Sequence, residues 1–276
     1  MARKNATPPA IVCQPKFLPR TQWVNAARMA ASINPMNEPA ARMAGLGRRL
    51  KPAEIAVLTT KYWGAGGVKL TVSFLDSPSK ALRDRILSHM NAWAKKANIS
   101  FRYTARQGQV RIARLPNDGY WSYLGTDVLS IPLQRPTLNL DSFTMSTPES
   151  EFRRVVRHEA GHTLGFPHEH MRKALVALID RQKAIKYFGD TQGWTSDEVV
   201  AQVLTPLEEG SLIATARADP RSIMCYQIPG ALTKNGQPIV GGTDIVASDY
   251  DFVSRIYPVP KKKRGAATTR RTRARR

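Results

Sequence analysis

The chain is short of the features that mark several broad protein classes. Its 276 residues include two cysteines, Cys13 and Cys225, so it cannot carry the disulfide framework that stabilises small secreted domains, and one bridge at most is available. No run of about 18 apolar residues occurs, which excludes a membrane-spanning helix. The opening stretch MARKNATPPAIVCQPKFLPR holds no apolar segment of the roughly 7–15 residues that a secretory signal needs. Any export is expected to use another route or a leader already removed. Acidic residues are also few, 21 against 42 lysines and arginines, for a net charge of +21. That excess sits at the ends: +7 in residues 1–50, +9 in residues 261–276 and +5 in everything between. The basic character therefore belongs to the arms rather than to the folded body. The tail KKKRGAATTRRTRARR lacks hydrophobic periodicity and reads as a solvated, disordered arm that makes nonspecific contact with anionic polymers or surfaces. No recognised nucleic-acid module accompanies it.

What is present is enough apolar content, 42% of residues, for one ordinary core or two lobes around a cleft. Residues 1–54 are rich in Pro, Ala, Asn and Arg, with a short helical patch at 22–31, and read as a pro-like segment. Val68, Leu70, Val72 and Phe74 alternate with polar residues, which predicts a half-buried strand. Leu82, Ile86, Met90 and Trp93 recur at three- and four-residue steps, which predicts an amphipathic helix over 79–97. Further short strands are expected at 99–103, 110–113, 128–133 and 137–140. Residues 118–125 pack aromatics between two glycines, as an edge strand or a core hairpin would. Pro148 and Glu149 open a helix that runs into the histidine-rich segment, and residues 196–204 read as a helix capped by Ser196. The order of elements points to an α+β fold with a mixed sheet.

Four of the five histidines lie between positions 158 and 170. On a helix, residues four apart share a face, so His158 and His162 can aim two imidazoles at one metal ion with Glu159 beside them. Gly165 suits a left-handed helix end, after which the reversed chain can deliver His168 as a third ligand. Three nitrogen ligands leave coordination positions open, as in a catalytic Zn²⁺ site rather than a structural one. Such an ion acidifies water and polarises a carbonyl, and Glu159 has the chemistry of a general base. An amphipathic helix with incidental histidines would not be expected to keep the full spacing HExxHxxGxxH. His170 is expected to lie beyond the ligands, behind them or at the surface, and His89 on the surface of its helix.

With these residues the sequence resembles the astacin family of metzincin metallopeptidases, whose signature HExxHxxGxxHE is matched from His158 through Glu169. The segment Ser222-Ile223-Met224-Cys225-Tyr226 resembles the family's Met-turn, with Cys225 where His is usual. The resemblance extends over about residues 68–258 and implies a two-lobed catalytic domain at 55–260, with an upper lobe at 55–165 and a lower, more irregular lobe at 166–260. It further implies that Met224 forms the floor under the ligands and that Tyr226 is a movable ligand and oxyanion stabiliser. Trp121, Ser122 and Tyr123 would bind an extended peptide along a sheet edge, and Glu169 would bond the N-terminus of the matured enzyme. Peptide substrates and an extracellular setting are implied, although few cysteines and no signal leave an intracellular one open. The chain departs from the family in lacking its disulfides and the FxGD motif of its pro-segments. Cys13 then has three readings: an inhibitory zinc ligand, a bridge to Cys225, or an idle thiol. A dead or latent fold whose basic arms bind nucleic acid or anionic surfaces is the alternative to a protease. Glu159 argues against it, because a binding module has no need of a general base.

Overall fold

The computed structural model describes residues 13, 16–39, 59–64, 66–207 and 217–260. The basic tail, most of residues 1–15 and 40–58, and part of the 187–220 insert lie outside the described residues.

The chain enters through helix α1 (Trp23–Ile33), which buries Ala26, Ala27 and Ala30 against the body. Strand β1 (Val68–Phe74) follows with the alternating burial its pattern predicts. Helix α2 (Lys80–Met90) is capped by the Ser79 hydroxyl, which accepts from the Leu82 N–H. Strands β2 (Ile99–Tyr103), β3 (Val110–Ala113), β4 (Tyr120–Ser122) and β5 (Leu138–Leu140) complete one sheet in the order β2-β1-β3-β5-β4. The pairs β1–β2, β1–β3 and β3–β5 are parallel, while β4 runs antiparallel to β5 and forms the edge. The sheet packs on the helical run that carries the histidines, with Phe143, Phe152, Val155 and Val156 fully buried between them.

That run begins as a turn at Glu149–Glu151, passes through a π-helical turn at Phe152–Val156 and continues as helix α3 (Arg157–Thr163). It stops at Gly165, whose φ of 98° is unfavourable for a residue with a Cβ. Beyond it the chain is mostly loop, interrupted by α4 (Arg181–Gln192), α5 (Ser196–Val199) with a π-helical continuation at Val200–Leu204, and the closing helix α6 (Ala247–Ile256). A second cluster of apolar residues holds this half together, built on Phe188, Trp194, Val199, Val203, Ile228 and Ile239.

Four expectations are corrected. Residues 128–133 form no strand: the chain turns as a 3₁₀ helix at Gly125–Ser130, because Gly125 has φ 49° and the Thr126 N–H donates to the Lys61 carbonyl. The helix expected to reach residue 97 ends as an α-helix at Met90. There Asn91 ties the helix end to β2, donating to the Leu87 and Phe101 carbonyls and accepting from the Phe101 N–H, and a 3₁₀ turn follows at Asn91–Lys95. The cap of α5 is Thr195, not Ser196, in a reciprocal capping box with Glu198. His89 is buried, paired with Glu149 at 3.4 Å and packed against Phe152 at 5.4 Å between ring centres.

Candidate metal centre

His158 and His162 stand one turn apart on α3, and each spends its Nδ1–H on a backbone carbonyl. His158 donates to Ile223 at 2.6 Å and His162 to Phe166 at 2.8 Å. Those bonds settle both tautomers and leave both Nε2 atoms as lone-pair donors. The chain reversal at Gly165 carries His168 back, so that its Nε2 lies 3.1 Å from that of His158 and 3.0 Å from that of His162. Three convergent nitrogens can share at most one proton, and the His168 Nδ1 finds no partner among the described residues. A tetrahedral zinc ion with Zn–N near 2.0–2.1 Å separates its nitrogens by about 3.3 Å, so the cluster fits one ion with little adjustment. Burial holds the His158 pKa down to about 4 and pushes those of His162 and His168 well below the ordinary value, so all three are neutral ligands in wait.

Two loops complete the centre. Cys13 places its Sγ with the three imidazoles, the four ligand atoms lying within 4.8 Å of one another. The same thiol is 3.4 Å from Glu159 Oε2. Both cysteines are free and buried, so the structure contains no Cys13–Cys225 bridge. Burial raises the Glu159 pKa to about 8, and it raises that of the Cys13 thiol with a further contribution from Glu159. From the other side, the Tyr226 hydroxyl donates to the Cys13 carbonyl, and its ring lies 4.2 Å from that of His168.

The turn bearing Met224 is shaped by Asp249 in the first turn of α6, whose carboxylate accepts from the Ser222 hydroxyl at 2.6 Å and the Ile223 N–H at 3.0 Å. Sequence reasoning gave Asp249 no role, because only the fold brings it across 26 residues to this turn. Met224 presses on α3 at Gly161, where a Cβ would meet its Sδ at 2.4 Å. The Glu169 N–H in turn donates to the Met224 carbonyl at 2.9 Å.

A family model described as Astacin, a peptidase family, matches residues 57–187. A solved structure of myroilysin superposes on 73% of this chain and 97% of that one, at 31% identity and a TM-score of 0.68. The chain belongs to the astacin family. A second myroilysin structure, at 31% identity and a TM-score of 0.56, covers 72% of this chain and 86% of that one. The zinc metalloproteinase nas-27 of Caenorhabditis elegans is 32% identical over 95 residues, which are 34% of this chain but 20% of that protein, so the chain spans about a fifth of this curated relative. The astacin assignment makes the chain a zinc metallopeptidase, and Cys13, His158, His162 and His168 form a group that could hold a metal ion.

The remaining astacin-like positions fall in two places. Ser122, buried at the end of β4, and Tyr123 just past it lie at the sheet edge, where the Ser122 carbonyl accepts from the Lys16 N–H and Lys16 bridges to Tyr123 in parallel. Trp121 is buried, with its Nε1 donating to Asp118 and the Lys16 ammonium 5.1 Å from its ring. Glu169 is not part of the metal-ligand cluster; its carboxylate accepts from the Asp219 N–H at 3.0 Å beside Arg172 at 3.6 Å, and burial raises its pKa to about 7. His170 is fully buried rather than at the surface, with a pKa held down to about 3 by that burial.

Proposed function

We propose that this chain is a zinc-dependent endopeptidase, with His158, His162 and His168 as metal ligands, Glu159 as general base and Tyr226 as movable ligand and oxyanion stabiliser, held latent by residue 13. The observation that carries the proposal is the convergence of three Nε2 atoms beside a buried carboxylate that makes no salt bridge among the described residues.

Bound zinc would supply Lewis-acid polarisation of a peptide carbonyl and acidify a water. Glu159 lies beside the ligands without joining them, so its carboxylate can take a proton from that water and return it to the leaving amine. The Tyr226 phenol is a hydrogen-bond donor, suited to the charge that develops on the attacked carbonyl oxygen. Once Lys16 is displaced, an extended substrate would pair with the outer edge of β4, where Trp121, Ser122 and Tyr123 lie. A cavity of about 290 Å³ beside His162 and His168 lies between Leu18 and Trp23 of the N-terminal segment and Leu124 and Met171 of the body, so removal of that segment would widen it into a cleft. The natural setting of such an enzyme is outside the cell, and its substrates are polypeptides.

Residue 13 supports latency in three ways at once. Its thiol takes a place among the ligand atoms, the same thiol contacts Glu159, and its carbonyl accepts from Tyr226. Lys16 occupies the β4 edge that a substrate would use. Asn34 and Asn37 fix the following helix to the body through the Trp63 and Tyr62 backbone. Casein hydrolysis by the full-length chain, with and without a chelator, tests both levels. Cys13→Ala should raise chelator-sensitive activity by about tenfold or more, as expected when a blocked metal position is opened. Unchanged activity, with zinc held by imidazoles alone, would reject the latency. An absence of chelator-sensitive turnover in every form would reject the enzyme.

A further inference from the structure

His170 lies two residues past the last imidazole ligand and belongs to none of the roles above. It has no exposed surface. Its ring is stacked on Tyr226, with centres 4.0 Å apart and planes 15° from parallel. Its Nε2 is 3.0 Å from the Gln202 carbonyl, and because a carbonyl only accepts, the proton of this neutral ring sits on Nε2. Gln202 belongs to the π-helical turn Val200–Leu204, near a helix end where carbonyls lack intrahelical partners. A second bond fastens the same segment, from the Leu207 N–H to the Met171 carbonyl at 2.9 Å.

We propose that His170 is a positioning residue for Tyr226, a flat platform that sets the plane in which the phenol lies and moves. In the latent chain the Tyr226 hydroxyl is anchored by the Cys13 carbonyl. When residue 13 leaves, that anchor goes with it, and the aromatic rings left against the phenol among the described residues are His168, tilted at 54°, and the stacked His170. Two stacked rings slide past one another at little cost but lose contact when one tilts away. The platform therefore lets the hydroxyl swing within one plane while resisting motion out of it. Because Gln202 clamps His170, the 196–207 segment acts on the phenol from outside the cleft. The proposal rests on the role of Tyr226 given above and adds what directs it.

The test uses the full-length Cys13→Ala chain and two readouts. In kinetics, His170→Leu should lower kcat by about tenfold, the scale of a misdirected donor, with a smaller change in KM and bound zinc unchanged. His170→Phe, which keeps a flat ring, should recover most of the loss. On a Tyr226→Phe background, His170→Leu should change kcat little further. The second readout needs neither metal nor turnover. In ¹³C-tyrosine NMR of the chelated chain, the Tyr226 ring signal, identified by its loss in Tyr226→Phe, should keep its ring-current shift in His170→Phe and lose it in His170→Leu. Equal losses of kcat for Leu and Phe, an undiminished effect on the Tyr226→Phe background, zinc loss, or an unmoved ring signal would each overturn the proposal. If Tyr226→Phe alone leaves kcat unchanged, the oxyanion role fails instead, and the ring signal still decides whether His170 holds the phenol.

Discussion

The half of the molecule built on the sheet and the half that follows Gly165 assemble the same site by different means. In the first, β1, α2 and α3 obey local periodicity, and α3 delivers His158, Glu159 and His162 simply because a helix puts residues four apart on one face. In the second, His168, Met224 and Tyr226 arrive on loops, each placed by bonds to partners far away in sequence: Ile223 to His158, Asp249 to Ser222 and Ile223, Glu169 to Met224. The helix holds two imidazoles and a carboxylate in fixed relation. The loops bring Tyr226 and Cys13, the two groups that the proposed function asks to move, and segments that take part in switching come from less rigid parts of a fold.

The comparison can be broken from either side. The largest effect belongs to the rigid half. Glu159→Gln keeps the shape of the helix and its two imidazoles and removes only the proton acceptor. It should lower kcat of the Cys13→Ala chain by about 10²–10⁴-fold with zinc content unchanged; retained turnover would place the base elsewhere, on the loops.

The next effect sharpens the contrast through pH, in the chelated full-length chain. His158 and His170 are held near 4 and 3, and His162 and His168 are also depressed, all chiefly by burial. These groups take up protons only on unfolding. The stability they contribute is full above the ordinary histidine value near 6.5 and is lost as pH falls through 6.5 towards the folded values. Glu159 near 8 and Glu169 near 7 act in the opposite sense, since they hold protons in the fold that the unfolded chain releases above about 4.5. The depressed His89 works in the same sense as the four imidazoles, and the raised Asp127 and Asp249 work with the two carboxyls, so the imidazoles set a fall in stability towards acid that the carboxyls partly offset. Melting curves from pH 6.5 to 5 should show Tm falling, whereas a flat profile would mean the imidazoles are hydrated rather than buried.

The smallest effect probes where the two halves touch. Gly161→Ala puts a Cβ against Met224 Sδ and 3.0 Å from the Trp93 ring. Overpacking of this kind costs about 1–3 kcal/mol, read as a drop in Tm. Adding Met224→Ala should make the combined loss smaller than the sum of the two single losses, and strict additivity would show that the Met-turn does not bear on α3.

Much of the sheet half is legible in the sequence because its signals are local. The alternation in β1, the limits of β2 and β3 and the left-handed end at Gly165 follow from patterns only a few residues long. The turn at 125–130 is not, because its conformation depends on the Lys61 carbonyl, more than sixty residues earlier. His89 was misplaced for a related reason, and His170 was left open between a place behind the ligands and the surface. Helical spacing says which residues share a face, but not what packs on it, and both rings are covered by elements distant in sequence. The Cys13 thiol could be read as a ligand, a bridge or a bystander until the fold laid it beside Glu159.

By itself the order of residues determined the chemistry on offer: two imidazoles and a carboxylate on one helical face, a third imidazole after a glycine turn, and a Met-Tyr pair farther on. These follow from helix geometry and from the ligand preferences of zinc, which act over a few ångströms of contiguous chain. Only the tertiary structure decided which surfaces those groups meet. It set Tyr226 between the Cys13 carbonyl and the His170 ring and Met224 under Gly161, because contacts across ten to two hundred residues depend on how the whole chain packs.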